Sequence, residues 1–159
     1  MKNLHLRSMS AALLGFVLVF TLADGGSMHA RAADEASLQL IQPAELVKVL
    51  RGPESRKPLL LQVGFRTLYE QAHIPGSEYM GPTSEAQGLQ ELHKRVQALP
   101  RNRFIVLYCG CCPWSHCPNV RPAYKELREM GFSNVKVLYL ANNFGADWVN
   151  KGYPVARGN

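Results

Sequence analysis

From Met1 to Tyr108, and again from Pro118 to the end, the chain has no cysteine. A disulfide scaffold spreads its cysteines to tie distant segments together, so that architecture is excluded. No lysine and arginine block occurs, and the scattered basic residues are not interleaved with aromatics, which removes a nucleic-acid footprint. Internal repeats are missing, and low complexity is confined to the N-terminal stretch, so a solenoid is excluded as well. The apolar run from Ala11 to Ala23 is too short to span a bilayer and ends in Asp24, Gly25, Gly26 and Ser27. No cysteine stands at its exit, so a lipoprotein anchor is not expected.

That run does have a basic flank, Lys2 and Arg7, and a small-residue exit, Ala30-Arg31-Ala32. This is the layout of a cleavable secretory signal. We expect residues 1–32 to be a signal peptide and residues 33–159 a single exported domain, periplasmic or secreted, with no membrane association after cleavage. The remainder is long enough to bury a core without covalent staples. Loss of Lys2, Arg7, Arg31 and Asp24 lowers the formal charge from +6 to about +4, a mild bias towards small anionic partners. A monomer without a cofactor is expected.

Hydrophobic period and punctuation alternate in an α/β manner along this domain. Pro43 to Leu50 reads as a helix opened by proline, and Leu59 to Val63 as a buried strand. Thr67 to Ala72 is a helical turn ended by Ile74-Pro75-Gly76, and Glu78 to Met80 a short strand. Leu89, Leu92, Val96 and Leu99 share a helical face, with Pro100 as the stop. Phe104 to Tyr108 is the most apolar strand. Val120, Tyr124 and Leu127 give helical spacing up to Gly131, Val135 to Leu140 another strand, and Asp147 to Lys151 a last helical turn. Buried strands alternating with helices predict a mainly parallel central sheet flanked by helices, in three layers.

All four cysteines, Cys109, Cys111, Cys112 and Cys117, lie in the loop that follows the most apolar strand. Ligands of such sheets sit beyond the carboxyl ends of strands, and the next helix points its positive end back at that edge, which favours thiolate over thiol. Cys109 is the candidate nucleophile. Cys111, Cys112 and Cys117 are candidate resolving thiols, Cys117 for its place before Pro118 at a helix start. Adjacent Cys111 and Cys112 are too close to bridge each other. Two full pairings remain open: Cys109 with Cys112 plus Cys111 with Cys117, or Cys109 with Cys111 plus Cys112 with Cys117. An alternative use of the loop is a Cu(I) or Zn(II) site from Cys109, Cys112, His116 and Cys117, as in a metallochaperone.

Gln62-Val63, Tyr69, Ala72-His73-Ile74-Pro75-Gly76, Val106 to Cys109, Met130 to Val135, Trp148 and Gly152 to Val155 together resemble a single-domain rhodanese. The resemblance implies a rhodanese-like three-layer fold. It also implies a sulfurtransferase in which Cys109 takes sulfane sulfur from a small anionic donor such as thiosulfate, holds it as a persulfide, and yields it to a thiol or protein acceptor. Gly110, Trp114 and Arg121 are candidate substrate-binding positions, Arg121 as a cation for a donor oxyanion. A thiol–disulfide oxidoreductase using the same loop is the competing reading.

Two departures from the family pattern stand out. Gln62-Val63-Gly64 and Leu68-Tyr69 replace a usual Asp-Val-Arg and Glu-Tyr, so an ion pair is lost as a unit, which costs far less than stripping one partner. The active loop also carries about five extra residues before Arg121-Pro122-Ala123-Tyr124. The leader gives the first prediction: protein recovered from its native host begins at or near Ala33, as N-terminal sequencing will read. Intact Met1 in the cytosolic fraction would refute export.

Overall fold

The computed structural model describes residues 38–158, so the expected signal peptide at 1–32 lies outside the described residues. Five strands form one sheet in the order β1-β5-β4-β2-β3 and every pairing is parallel, so the mainly parallel sheet of the sequence reading is wholly so. The strands are β1 (Leu40–Ile41), β2 (Leu59–Gln62), β3 (Glu78–Tyr79), β4 (Ile105–Tyr108) and β5 (Val135–Leu138). The helices are α1 (Pro43–Leu50), α2 (Arg66–Gln71), α3 (Ala86–Val96), α4 (Val120–Glu129) and α5 (Phe144–Asp147). Among the described residues no helix is long and apolar enough to cross a membrane.

Strand β4 is central and entirely buried, as a parallel sheet covered on both faces requires. Its side chains alternate between two cores. Ile105, Leu107 and then Cys109 pack with α3 and α4 through Leu92, Val96, Ala123 and Leu127. Val106 and Tyr108 pack on the other face with Leu46 and Val47 of α1 and with Phe144 and Trp148. Leu59 to Gln62 pairs in step with Ile105 to Tyr108, so β2 and β4 end side by side and set Gln62 next to the thiol loop.

The helices form where the apolar period dictates. In α4, Val120, Ala123, Tyr124 and Leu127 are buried at helical spacing, and Gly131 takes φ +89° to stop it while Phe132 N–H closes onto Leu127 O at 3.0 Å. Helix α3 ends at Val96, earlier than its apolar stripe suggests, yet Leu99 still packs on the same core from the following turn. Two expectations need correction, and one strand was not expected. Strand β1 has only two residues, too few for a visible period. Strand β5 stops at Leu138, although Tyr139 N–H still reaches Ile41 O at 3.0 Å. The expected last turn at Asp147 to Lys151 is a 3-10 turn at Val149–Lys151, and a separate turn, α5, precedes it because Asn143 Oδ1 accepts from Ala146 N–H at 2.8 Å and caps it.

Truncating the central strand should open a cavity that neighbours cannot fill. Leu107→Ala is expected to lower the unfolding free energy by roughly 2–5 kcal/mol in urea titrations under reducing conditions. Leu40→Ala, at a residue 38% exposed on the edge strand, should cost less than about 1 kcal/mol.

Candidate active site

Cys109 is the first residue past the end of β4, where the pleat turns its side chain towards α3 and α4. The chain then turns sharply. Gly110 has φ +76°, and a Cβ on it would sit 2.5 Å from Phe144 Cβ, so only glycine lets the loop pass against α5. Phe144 N–H donates to Gly110 O at 3.1 Å and fixes that approach. The extra residues fold back as a 3-10 turn, Trp114–His116. Trp114 N–H reaches Ala141 O at 3.1 Å, and its indole lies 5.2 Å from the Tyr139 ring. The insertion is therefore tied to the segment after β5.

This folding gathers the thiols. Cys109 and Cys111 Sγ are 3.0 Å apart, Cys111 and Cys112 Sγ 3.1 Å, and all four cysteines are free. Cys109, Cys111 and Cys117 form a triangle whose sulfurs all lie within 4.8 Å of one another. Cys109 and Cys117 are buried, Cys111 and Cys112 half-buried. His116 stands apart, its Nδ1 paired with Ser115 Oγ at 2.8 Å.

The thiols do not share charge equally. Hydrogen bonds from Cys109 and Cys111, and then the backbone N–H groups of Val120 and Asn119 at the start of α4, hold Cys117 well below the usual thiol range despite its burial. For Cys109, contact with Cys111 pulls downward, but its hydrogen bond to Cys117, burial and the Cys117 charge outweigh that and push it up to about 12. Contact with Cys109 and Cys117 raises Cys111, and burial with contact to Cys111 pushes Cys112 up to about 12. Within the cluster Cys117 is thus the thiol most disposed to ionise, and its neighbours are held back.

A polar frame that sequence reading missed holds the nucleophile position. Asn119 is fully buried, and its Nδ2 faces Cys109 Sγ at 3.4 Å and Cys111 Sγ at 3.9 Å. Its Oδ1 accepts from Ser84 N–H at 3.0 Å, and its carbonyl accepts from Thr83 Oγ1 at 2.7 Å. An asparagine at a helix start reads as a cap, yet this side chain makes no cap bond and turns inward instead. On the other side, Gln62 Nε2 donates to Cys109 O at 3.3 Å while its Oε1 accepts from Gly64 N–H at 3.2 Å. This neutral pair of bonds fills the place where the family pattern has a charge. A Cβ on Gly64 would lie 2.8 Å from Cys109 Sγ, so the sulfur occupies space that a side chain would need.

Beyond the sulfurs lies a cavity of about 300 Å³, lined by Cys109, Gly110, Cys111, Gln62, Gln71 and Asn143 among others. Its lining carries no charged side chain. Arg121 is on the first turn of α4 with its guanidinium 5.9 Å from the Trp114 ring centre, and neither residue lines this cavity. Of the candidate substrate-binding positions, Gly110 alone borders it. Tyr108, also in the lining, uses its hydroxyl for Ile74 N–H at 3.1 Å and Ser77 Oγ at 2.7 Å, and burial pushes its phenol above the usual range.

A strand-end cysteine backed by a helix start, on an all-parallel sheet, matches a known pattern. The rhodanese-like domain model covers residues 42–141. This chain belongs to the rhodanese-like domain family. The rhodanese-like domain of the Alr3790 protein from Anabaena sp. is similar at 23% identity with a TM-score of 0.53, over 74% of this chain and 78% of that one. The BH2092 protein from Bacillus halodurans matches at 18% identity and TM-score 0.57, over 82% and 85%. A protein of unknown function and possible tyrosine phosphatase from Rhodopseudomonas palustris matches at 15% identity and TM-score 0.58, over 94% and 100%. At such identities these likenesses speak for the fold alone. No curated protein matches the chain significantly.

Within this rhodanese-like domain, the Asn119 amide should govern thiol reactivity. Asn119→Asp keeps the acceptor for Ser84 N–H but sets a carboxylate oxygen where Nδ2 met the sulfurs, repelling an anionic nucleophile. Alkylation of Cys109 by iodoacetamide, read by peptide mass, is expected to slow about tenfold with the fold retained by circular dichroism. An unchanged rate would show that the amide does not act on the sulfur.

Proposed function

We propose that this protein transfers sulfane sulfur through a persulfide on Cys109, working as an exported domain after loss of residues 1–32. Rhodanese-like domains are often sulfurtransferases, and the observation that carries the reading here is the place of Cys109. It directly follows the central strand and lines the cavity, with the buried Asn119 amide at 3.4 Å from its sulfur. The uncharged lining, Gln62, Gln71 and Asn143 beside Leu68, Phe144 and Val149, offers a small donor hydrogen bonds and no ion pair.

The chemistry starts with the Cys109 sulfur attacking the outer sulfur of thiosulfate. The Cys109 thiol gives up its proton to solvent, since Cys117, held well below the usual thiol range, is too weak a base to keep it. The donor S–S bond breaks, sulfite leaves with the electron pair, and Cys109 carries the persulfide. An acceptor thiolate, or cyanide in an assay, then attacks the terminal sulfur and returns Cys109 as a thiolate.

The 3.0 Å contact between Cys109 and Cys111 favours a second outcome. The Cys111 sulfur, once deprotonated, attacks Cys109 Sγ, hydrosulfide leaves, and a Cys109–Cys111 disulfide remains that an external dithiol must reduce with two electrons. The same pair would serve a thiol–disulfide oxidoreductase.

Cys109→Ser is expected to lower thiosulfate:cyanide activity by at least about 10³-fold. Wild-type protein should stall after its first turnovers with cyanide alone and resume on addition of a dithiol, and Cys111→Ser should turn over without one. Full activity in Cys109→Ser would overturn the assignment. Sustained wild-type turnover, no better in Cys111→Ser, would remove Cys111 from the pathway.

A further inference from the structure

Sulfur transfer through one nucleophile does not require three sulfurs enclosed together, and their arrangement has a chemistry of its own. Cys109, Cys111 and Cys117 each offer one Sγ, all within 4.8 Å of one another. A three-coordinate ion with metal–sulfur bonds of about 2.3 Å needs sulfurs about 4 Å apart, so the triangle closes on an ion with a shift of about 1 Å at the Cys109–Cys111 edge. We propose that the reduced protein binds one Cu(I) ion in a trigonal site made by Cys109, Cys111 and Cys117.

The donor set selects the metal. Three thiolates are soft ligands that suit Cu(I), whereas a structural Zn(II) site wants four ligands in a tetrahedron. Neither further donor of the loop joins the mutual grouping: Cys112 Sγ is 3.1 Å from Cys111 Sγ but not within 4.8 Å of all three sulfurs, and His116, whose Nδ1 pairs with Ser115 Oγ at 2.8 Å, is not among them. This ligand set therefore differs from one built on Cys112 and His116. Two of the three sulfurs are nearly enclosed, Cys109 at 3% and Cys117 at 8% exposure, so water has little room to act as a further ligand.

The surroundings fit as well. Asn119 Nδ2 faces Cys109 and Cys111 Sγ, and the backbone N–H groups of Asn119 and Val120 face Cys117, so each sulfur has an N–H donor to steady its charge. The ion has a route in, since half-buried Cys111 and Cys109 both border the cavity. Ligation moves no electrons. Cu(I) displaces the protons on the coordinating thiols to solvent and forms three Cu–S bonds.

The test is anaerobic titration of the reduced full-length protein with Cu(I) against bicinchoninate, with X-ray absorption on the loaded protein. One Cu(I) per chain should be withheld from the chelator, surrounded by three sulfurs. Cys109→Ser, Cys111→Ser and Cys117→Ser should each weaken retention by more than about tenfold, while Cys112→Ser and His116→Ala stay within about twofold of wild type. Should a triangle variant fail to fold, the wild-type coordination shell decides. No retention against the chelator, a shell of two sulfurs or one containing nitrogen, or losses in Cys112→Ser or His116→Ala equal to those of the triangle variants, would overturn the proposal.

Discussion

The side chain of Cys109 has one place to go. The pleat of β4 turns it towards α3 and α4, where it meets the space a Cβ on Gly64 would claim, 2.8 Å away, and the Asn119 amide at 3.4 Å. Everything else at the site follows from that confinement. Gly110 must turn with φ +76° because the chain cannot continue straight into α5, and the inserted residues fold back over the sulfur until α4 begins at Val120. A bulkier residue at 64 or a different turn at 110 would move the sulfur and undo the cluster.

The frame around this sulfur is neutral. Gln62 bonds Gly64 and the Cys109 carbonyl, and Asn119 bonds Ser84 and Thr83 while facing two sulfurs. Buried neutral groups that are fully hydrogen-bonded avoid the desolvation cost of a buried ion pair. The groups able to carry negative charge here are the thiols themselves, and S–H and backbone N–H donors favour ionisation of Cys117 over its neighbours. Such a site holds charge at the helix start and exposes the half-buried Cys111 towards the cavity.

Much of this was legible in the sequence because it rests on local pattern. The Phe104 to Tyr108 run, the stripe of Val120, Tyr124 and Leu127, and Gly131 after it carry their periods openly, and the clustered cysteines marked the loop. His73, in the Ile74-Pro75-Gly76 turn, is structural: its ring stacks on Tyr69 at 4.0 Å and its Nδ1 meets Tyr69 O at 2.8 Å. What stayed hidden depends on long-range contact. Nothing local distinguishes Asn119 as a capping residue from Asn119 as a sulfur partner, since Thr83 and Ser84 reach it from far along the chain. The two-residue strand β1 needs β5 to exist, and the closeness of Cys111 to Cys109 is decided by how the insertion folds against Ala141.

The central claim is that sulfur is carried on Cys109 and not elsewhere in the loop. Brief treatment of reduced wild-type protein with thiosulfate, trapping of thiols with an alkylating reagent and tandem mass spectrometry of the loop peptide tests this directly. The account predicts a single added sulfur of about 32 Da, localised to Cys109. An added sulfur localised to Cys112 or Cys117, with Cys109 alkylated and unloaded, would contradict it.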